Sequence, residues 1–407
     1  MIWLTLAIRN IAANRRRSAI AIGAIAFAAT ALVLYSGYIN EQREGMKFAF
    51  IHASGTGHIQ LSGTGGFGDF ADLPMQFGLT PAQRSAIEAA ADKISAVRRT
   101  VPRLQFGGIV SSGPRTLPFS GSAIDPAAES SAFGAAGAVS AGTPLNRRAP
   151  DDGVVLGVEL ARQLGVKPGD DVTILTTTAL GSQNAIDMPV IGLRSTGSTQ
   201  GDLYYLQAKL PTIQKLLLTD KITHLVVLLQ DKADFGPLSP RLAAAAPGIE
   251  ARDWMQLTPI FKQVMGQLEM QFEVVGGMLI IVTLLGVAVL ILTSVLERSR
   301  EIGVMRSLGI TGRQVRSVFV LEGLLLCVAG VSLGILLGAS GSWAINALHL
   351  TMPPPPGRNT GYPLRLLWDW NAPAQVTVAV LVFGLGVSWL ASGRVTRLKI
   401  IEALGAL

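Results

Sequence analysis

The residues that could do chemistry are few. One cysteine is present, Cys327, and it lies inside an apolar run. A thiol buried in such a run is inert. A single cysteine also rules out an internal disulfide framework and any multi-cysteine metal site. The four histidines, His52, His58, His224 and His349, show no metal-ligand spacing. His52 and His58 stand six apart across Gly-rich sequence, which reads as loop polarity. Gly63–Asp69 (GTGGFGD) has the glycines of a phosphate loop but no Lys-Ser/Thr and no helical run behind it. Gly-Lys occurs nowhere. These residues give catalysis by this chain no support.

Charge set among apolar residues is the more informative signal. Glu297–Leu326 reads ERSREIGVMRSLGITGRQVRSVFVLEGLLL. Arg298, Arg300, Arg306, Arg313 and Arg316 interleave there with Ile302, Val304, Met305 and Leu308. The spacing predicts a short amphipathic helix around Glu301–Leu308, broken by Gly309, Thr311 and Gly312. Such a helix lies on a membrane surface or docks in a partner's groove. A plain basic loop would explain the arginines but not the apolar residues between them, nor the bend. Glu322 follows inside an apolar run, where a carboxylate costs up to about 2.5–3.5 kcal/mol at mid-bilayer. It lies near one end of that run, and an arginine from another segment is its expected partner. Gly330, Gly334 and Gly338 recur every four residues on one helix face. This small-xxx-small pattern permits close helix contact, within the chain or with a second copy.

The elements that must hold these residues are membrane spans. Of 407 residues, 49% are hydrophobic and only 15% charged, and mean hydropathy is +0.43. Soluble domains carry about 25% charge, and disorder needs the opposite balance. Four runs are long enough to cross a bilayer: Ser18–Tyr38, Val274–Leu296, Val318–Leu348 and Ala372–Leu390. The first follows Arg15, Arg16 and Arg17. It is longer than the apolar core of a signal peptide and lacks a clear cleavage site, so it reads as an uncleaved anchor. The segments 1–17, 297–317 and 391–407, with Glu322 at a boundary, hold 12 Lys/Arg against Glu297, Glu301, Glu322 and Glu402. Basic flanks mark the cytoplasmic side, so both termini are expected there. The net charge of +7 is thus a topology signal. It does not call for nucleic acid as a partner.

The segment 39–273 then lies outside as one large extracytoplasmic domain. Its size suits two subdomains. Thr80–Val97 predicts a helix with a Thr cap and Pro81 at its first position. Gly57–Ser62 and Asp171–Thr176 alternate as strands do. Val154–Gly157 reads as a strand, Val158–Leu164 as a helix, and Lys167–Asp170 as a Pro-Gly turn. Ser54–Gly68 reads as a mobile Gly-rich loop. Pro259 opens an amphipathic helix that runs into the second span, and Ile39–Phe50 prolongs the first; together they would make a stalk. Pro353–Pro356 reads as a stiff polyproline linker in the loop 349–371.

On these residues the chain resembles the four-span permeases of the MacB/FtsX/LolCDE (type VII) class of ABC systems. Glu297–Val315 resembles that family's coupling helix, and Phe319–Gly330 the start of its third span, including the acid. Gly57–Leu61, Gly121–Glu129 and Val154–Asp170 resemble its outer domain. Trp254 and Pro259 resemble the approach to the second span in the lipoprotein-release permeases. The resemblance implies a fold of four transmembrane helices. A mixed α/β extracytoplasmic domain is inserted between spans one and two on a helical stalk.

It also implies a mechanism. A separate cytoplasmic ABC ATPase dimer would bind ATP and Mg, with no cofactor on this chain. Glu297, Arg300, Glu301, Gly303, Arg306, Leu308 and Gly309 would meet that ATPase. Glu322, Gly330, Gly334 and Gly338 would pack the spans. The chain opens directly on a membrane-entry helix, so the ATPase is expected on another polypeptide, in the bacterial inner membrane. Further partners are a second permease copy, identical or not, membrane lipid, and a periplasmic carrier or outer-membrane component. The cargo implied is a lipoprotein or other amphipathic substrate. Macrolide or peptide efflux is one alternative. Another is an FtsX-like transmitter that activates a cell-wall hydrolase without transport.

Overall fold

A computed structural model describes residues 2–68, 74–133, 139–146, 148–230, 235–354 and 361–393. Asp69, Pro355, Pro356, Gly357, Arg394, Arg397, Lys399 and Glu402 lie outside the described residues. The chain divides into two compact units. One comprises residues 1–44, 263–351 and 363–407. The other comprises 45–262 and 352–362.

The first unit is helical. Among the described residues, four helices are long and apolar enough to cross a membrane: Arg15–Phe48, Pro259–Glu297, Gly312–Ala347 and Asn371–Ala391. Two short helices, Ile2–Ala13 and Ser299–Ser307, accompany them. The long helices exceed the apolar runs because polar residues at their ends still favour helix. The third starts at Gly312, six residues before Val318. There Thr311 caps it, and Gln314 returns the bond to the Thr311 amide at 2.9 Å. Polar extensions of the first two helices meet one another. Arg43 pairs with Glu269 at 2.8 Å, and the Tyr35 ring lies 5.8 Å from Phe272.

Much of the apolar surface of this unit faces outward. Met278, Ile281, Val282, Leu285 and Val289 are all exposed on the second helix. That is costly in water and neutral in lipid. Its packed interior joins Ile25, Ala29, Val287, Ile291, Phe319, Cys327 and Val376. The glycine stripe of the third helix lies directly on the first. A methyl group added at Gly330 would stand 2.5 Å from Ile25 Cβ, and at Gly334 2.5 Å from Ala29 Cβ. At Gly338 it would stand 2.8 Å from Val33 Cγ1. Thr30 Oγ1 donates to the Gly334 carbonyl at 3.0 Å across the same seam.

The second unit is a mixed α/β fold on a ten-stranded sheet. Its strands are β1 (Ile59–Gly63), β2 (Val97–Ser111), β3 (Thr116–Ile124), β4 (Ala141–Gly142) and β5 (Val154–Gly157). They continue as β6 (Asp171–Thr177), β7 (Gln183–Arg194), β8 (Tyr205–Lys209), β9 (His224–Leu229) and β10 (Ile249–Asp253). The order is β10-β1-β9-β2-β3-β8-β5-β7-β4, with β6 bridging β2 and β7. All six residues of β9 and all four of β5 are buried, as expected for strands covered on both faces.

Strand β2 organises the sheet. One edge pairs with β9 over residues 97–103 and with β6 over residues 108–111. The other pairs with β3 from Arg103 to Ser111. The sheet is therefore continuous rather than two separate subdomain sheets. The capped helix is Pro81–Ala91, shorter than the Thr80–Val97 pattern. Val97 is claimed by β2, because pairing with Leu229 completes the sheet. The Gly-rich stretch after Ser54 contains β1, fixed between β9 and β10, and so is not one open loop.

His224 in β9 is buried and its Nδ1 has no hydrogen-bond partner. Burial pushes its pKa down from 6.5 to about 4, opposed by a hydrogen bond involving the Gly66 backbone.

Two outcomes follow. Gly334→Leu should lower thermal stability in detergent by about 1–3 kcal/mol through overpacking against Ala29. Gly286→Ala, where nothing lies within 4 Å, should cost nothing measurable by the same melt. For His224, the unfolded chain takes up the proton more readily than the folded one. Stability is therefore intact above pH 6.5 and falls as pH drops toward 4. A pH series of melts should show this loss, and His224→Gln should flatten it.

Candidate functional site

The arginine-rich segment folds as a helix between two stops. The second long helix ends at Glu297, and Arg298 leaves helical geometry with φ −101° and ψ 15°. Ser299–Ser307 then forms a helix of nine residues, close to the predicted Glu301–Leu308. Its start lies two residues earlier because the Ile302 amide bonds back to the Arg298 carbonyl at 2.9 Å. It ends where Gly309 takes φ +91°, a conformation that side chains resist. There the Gly309 amide donates to the Arg306 carbonyl at 3.1 Å, and that of Ile310 to Met305 at 3.2 Å. Thr311 immediately caps the next helix. The Leu-Gly-Ile-Thr-Gly sequence is thus one helix stop followed by one helix start.

This helix has two faces. Ile302 and Gly303 are buried, and Ile302 joins Val315 and Phe319 in the core of the unit. Arg300, Glu301, Val304, Ser307 and Gly309 are exposed, while Arg306 is half-buried. Leu308 is 77% exposed, the highest exposure of any large apolar side chain among the described residues. Beside the helix, Leu6, Asn10, Met305, Val318 and Phe319 help line a cavity of about 410 Å³. The face that remains outside is short, charged and apolar by turns. A face of this kind suits docking into a groove on another protein.

The remaining predicted residues are placed as follows. Glu297 pairs with Arg17 at 2.5 Å, with both side chains half exposed; such a pair contributes little. Glu322 is buried, and its Oε2 has no partner. The Asn10 side chain and the Arg298 charge act on it electrostatically. Gly330, Gly334 and Gly338 sit on the intramolecular seam described above. The structure therefore gathers Arg300, Glu301, Gly303 and Arg306 on one short helix, with Leu308 and Gly309 at its C-terminal end. Glu297 precedes it, and Glu322 lies in the adjoining third helix.

Sequence reasoning missed two contacts. Arg316 donates to the Trp389 carbonyl and lies 4.0 Å over the Trp389 ring, tying the third long helix to the fourth. Asn10 belongs to a helix read only as a membrane entry. No local pattern pairs residues so far apart. Only the chance that polar groups in apolar segments seek one another could have pointed to Asn10.

The family described as MacB-like periplasmic core domain matches residues 18–245, more than half of the chain. The family described as FtsX-like permease C-terminal matches residues 273–400. The lipoprotein-releasing system transmembrane protein LolC of Xylella fastidiosa is 25% identical over 272 residues, covering 62% of this chain and 64% of that protein. The match thus spans a little under two thirds of that relative. The macrolide export ATP-binding/permease protein MacB of Escherichia coli K12 is 34% identical over 132 residues, 32% of this chain and 17% of that one. The ABC transporter permease YknZ of Bacillus subtilis is 29% identical over 149 residues, 37% and 32% of the two chains. Among solved structures, the periplasmic region of MacB from Actinobacillus actinomycetemcomitans aligns with a TM-score of 0.36 at 13% identity. That alignment covers 50% of this chain and 92% of that one. With a MacB-like core over more than half its length and an FtsX-like segment behind it, the chain belongs to the MacB/FtsX/LolC family of ABC transporter permeases.

Proposed function

We propose that this chain is a membrane subunit that transmits motion. A separate ABC ATPase dimer hydrolyses ATP with Mg on the cytoplasmic side. The helix Ser299–Ser307 receives its movement, and the α/β unit carries it out on the opposite side of the inner membrane. A second permease copy completes the transporter. The observation that carries this reading is the two-faced helix. Ile302 anchors it in the core of the helical unit, while Leu308 and Val304 stand exposed among charges. An apolar side chain that exposed is the anchor a partner groove can bury. The basic flanks at 9–17, 298–316 and 394–399 support cytoplasmic termini.

The cargo reading is extraction of a lipoprotein or similar amphipathic substrate. It is supported by the length of the match to LolC, about twice that to MacB. Macrolide export is the second reading, favoured by the higher identity over the shorter MacB match.

Leu308→Glu should reduce co-purification of the ATPase expressed with this chain at least tenfold, about 1.4 kcal/mol, with an unchanged melt. The pair Glu301→Lys and Arg306→Glu should abolish stimulation of ATP hydrolysis by the permease. Undiminished association and stimulation in both variants would place the ATPase contact elsewhere. For the cargo, mass spectrometry of material co-purified in detergent should find acylated protein. Its absence, together with chain-dependent macrolide resistance, would favour efflux.

A further inference from the structure

The α/β unit contains a second feature with the chemistry of a site. A cavity of about 970 Å³ opens among β2, β3, β8, the helix Pro126–Phe133 and the segment Met46–Gly55. That volume is at the upper end of the range for small-molecule pockets. All of its described lining belongs to this one unit.

One end of the cavity is polar and built. Arg103 reaches it from β2, with its side chain only 13% exposed, and forms a two-point pair with Glu129 at 2.5 and 3.4 Å. Arg194, at the end of β7, donates to Tyr205 Oη at 2.7 Å and to the Ala53 carbonyl at 3.4 Å. The two guanidinium groups also lie against rings, Arg103 over Phe133 at 5.1 Å and Arg194 over Tyr205 at 5.3 Å. Both arginines and Glu129 act electrostatically on Tyr205, so the four groups form one cluster. Burial raises the Tyr205 pKa, which keeps its hydroxyl a neutral donor or acceptor. Gln207, also buried, adds an amide.

The approach of Arg103 is permitted by a special backbone. Ala49–Ala53 forms a π-turn, and Gly55 behind it takes φ +70°. A methyl group at Gly55 would lie 2.8 Å from Arg103 Nη1 and closer still to Nη2. Wide turns of this kind recur at functional sites.

Beyond these groups the wall carries apolar Met46, Phe50, Ile124 and Leu145 beside small polar residues such as Ser122, Ser130 and Asn146. Among the charged side chains lining the cavity, two are guanidinium and one is carboxylate. A planar fork of donors suits carboxylate or phosphate, and the apolar wall suits a hydrocarbon chain. We propose that this cavity binds an amphiphile with an anionic head, held by Arg194 and Arg103, and a single apolar tail along Phe50 and Leu145. The proposal is independent of the coupling reading, because binding to the full chain requires no ATPase.

The test uses full chain in phosphatidylcholine nanodiscs. The probe is a twelve-carbon alkyl phosphate with a photoreactive diazirine at its tail; controls carry a hydroxyl or a trimethylammonium head. After irradiation, labelled peptides are mapped by mass spectrometry. The phosphate probe should label residues 46–53 or 124–145 at least tenfold more than either control. Arg194→Gln should lose that preference, Arg194→Lys should retain part of it, and Gly55→Val should weaken it. Phe50→Ser, on the apolar part of the wall, should reduce labelling by all tail-bearing probes. Intrinsic tryptophan fluorescence and gel-filtration profile confirm that each variant is folded. Equal labelling by phosphate and alcohol would overturn the proposal, as would labelling confined to the four long helices. Labelling unchanged in Arg194→Gln and Phe50→Ser would also overturn it.

Discussion

Close approach of the first and third long helices is the constraint on which the helical unit depends. In lipid, leucine against leucine gains little over leucine against an acyl chain. What remains is van der Waals fit and the occasional hydrogen bond. Gly330, Gly334 and Gly338 supply the fit by removing the side chains that would hold Ile25, Ala29 and Val33 away. Thr30 supplies the bond. The pattern recurs between the third and fourth helices, where Gly384 makes room for Cys327 and Gly323 for Ser388. The lone cysteine is therefore a space-filling residue. Its sulfur occupies the hollow that Gly384 leaves.

That seam positions the candidate coupling helix. Ile302 packs on Val315 and Phe319, and Val315 and Phe319 belong to the helix that the glycines press against the first span. Gly309 and the Thr311 cap then fix the turn between the two helices. A short helix in water alone would be marginal. Here tertiary packing of one face stabilises it, while Val304 and Leu308 stand exposed among the described residues.

Much of this was legible in the sequence, and the reasons differ by element. The four long apolar runs need only counting, since bilayer thickness fixes their length. The cap at Thr80 and the strand–helix–turn from Val154 to Asp170 are local patterns, and local hydrogen bonds decide them. The glycine stripe showed that a close contact exists but not which helix makes it. Spacing describes one face and says nothing of its partner. The end of the Thr80 helix was misplaced because Val97 satisfies a distant strand rather than its neighbours. The cavity of the α/β unit was invisible for the same reason. Arg103, Glu129, Arg194 and Tyr205 are spread along β2, a short helix, β7 and β8, and each alone resembles an ordinary surface residue. Glu129 did fall within the family-like stretch Gly121–Glu129, but its arginine partner did not.

The length of β2 has a mechanical consequence. Fifteen residues in extended form span roughly 50 Å at about 3.3 Å each. One edge of this single strand holds β9 near its start and β6 at its finish. Separating those two regions lengthwise means stretching covalent backbone, whereas parting neighbouring strands only breaks hydrogen bonds. The sheet is therefore stiff along β2 and compliant across it. A load applied at the β9 end arrives at the β6 end with little loss, as along a tie rod.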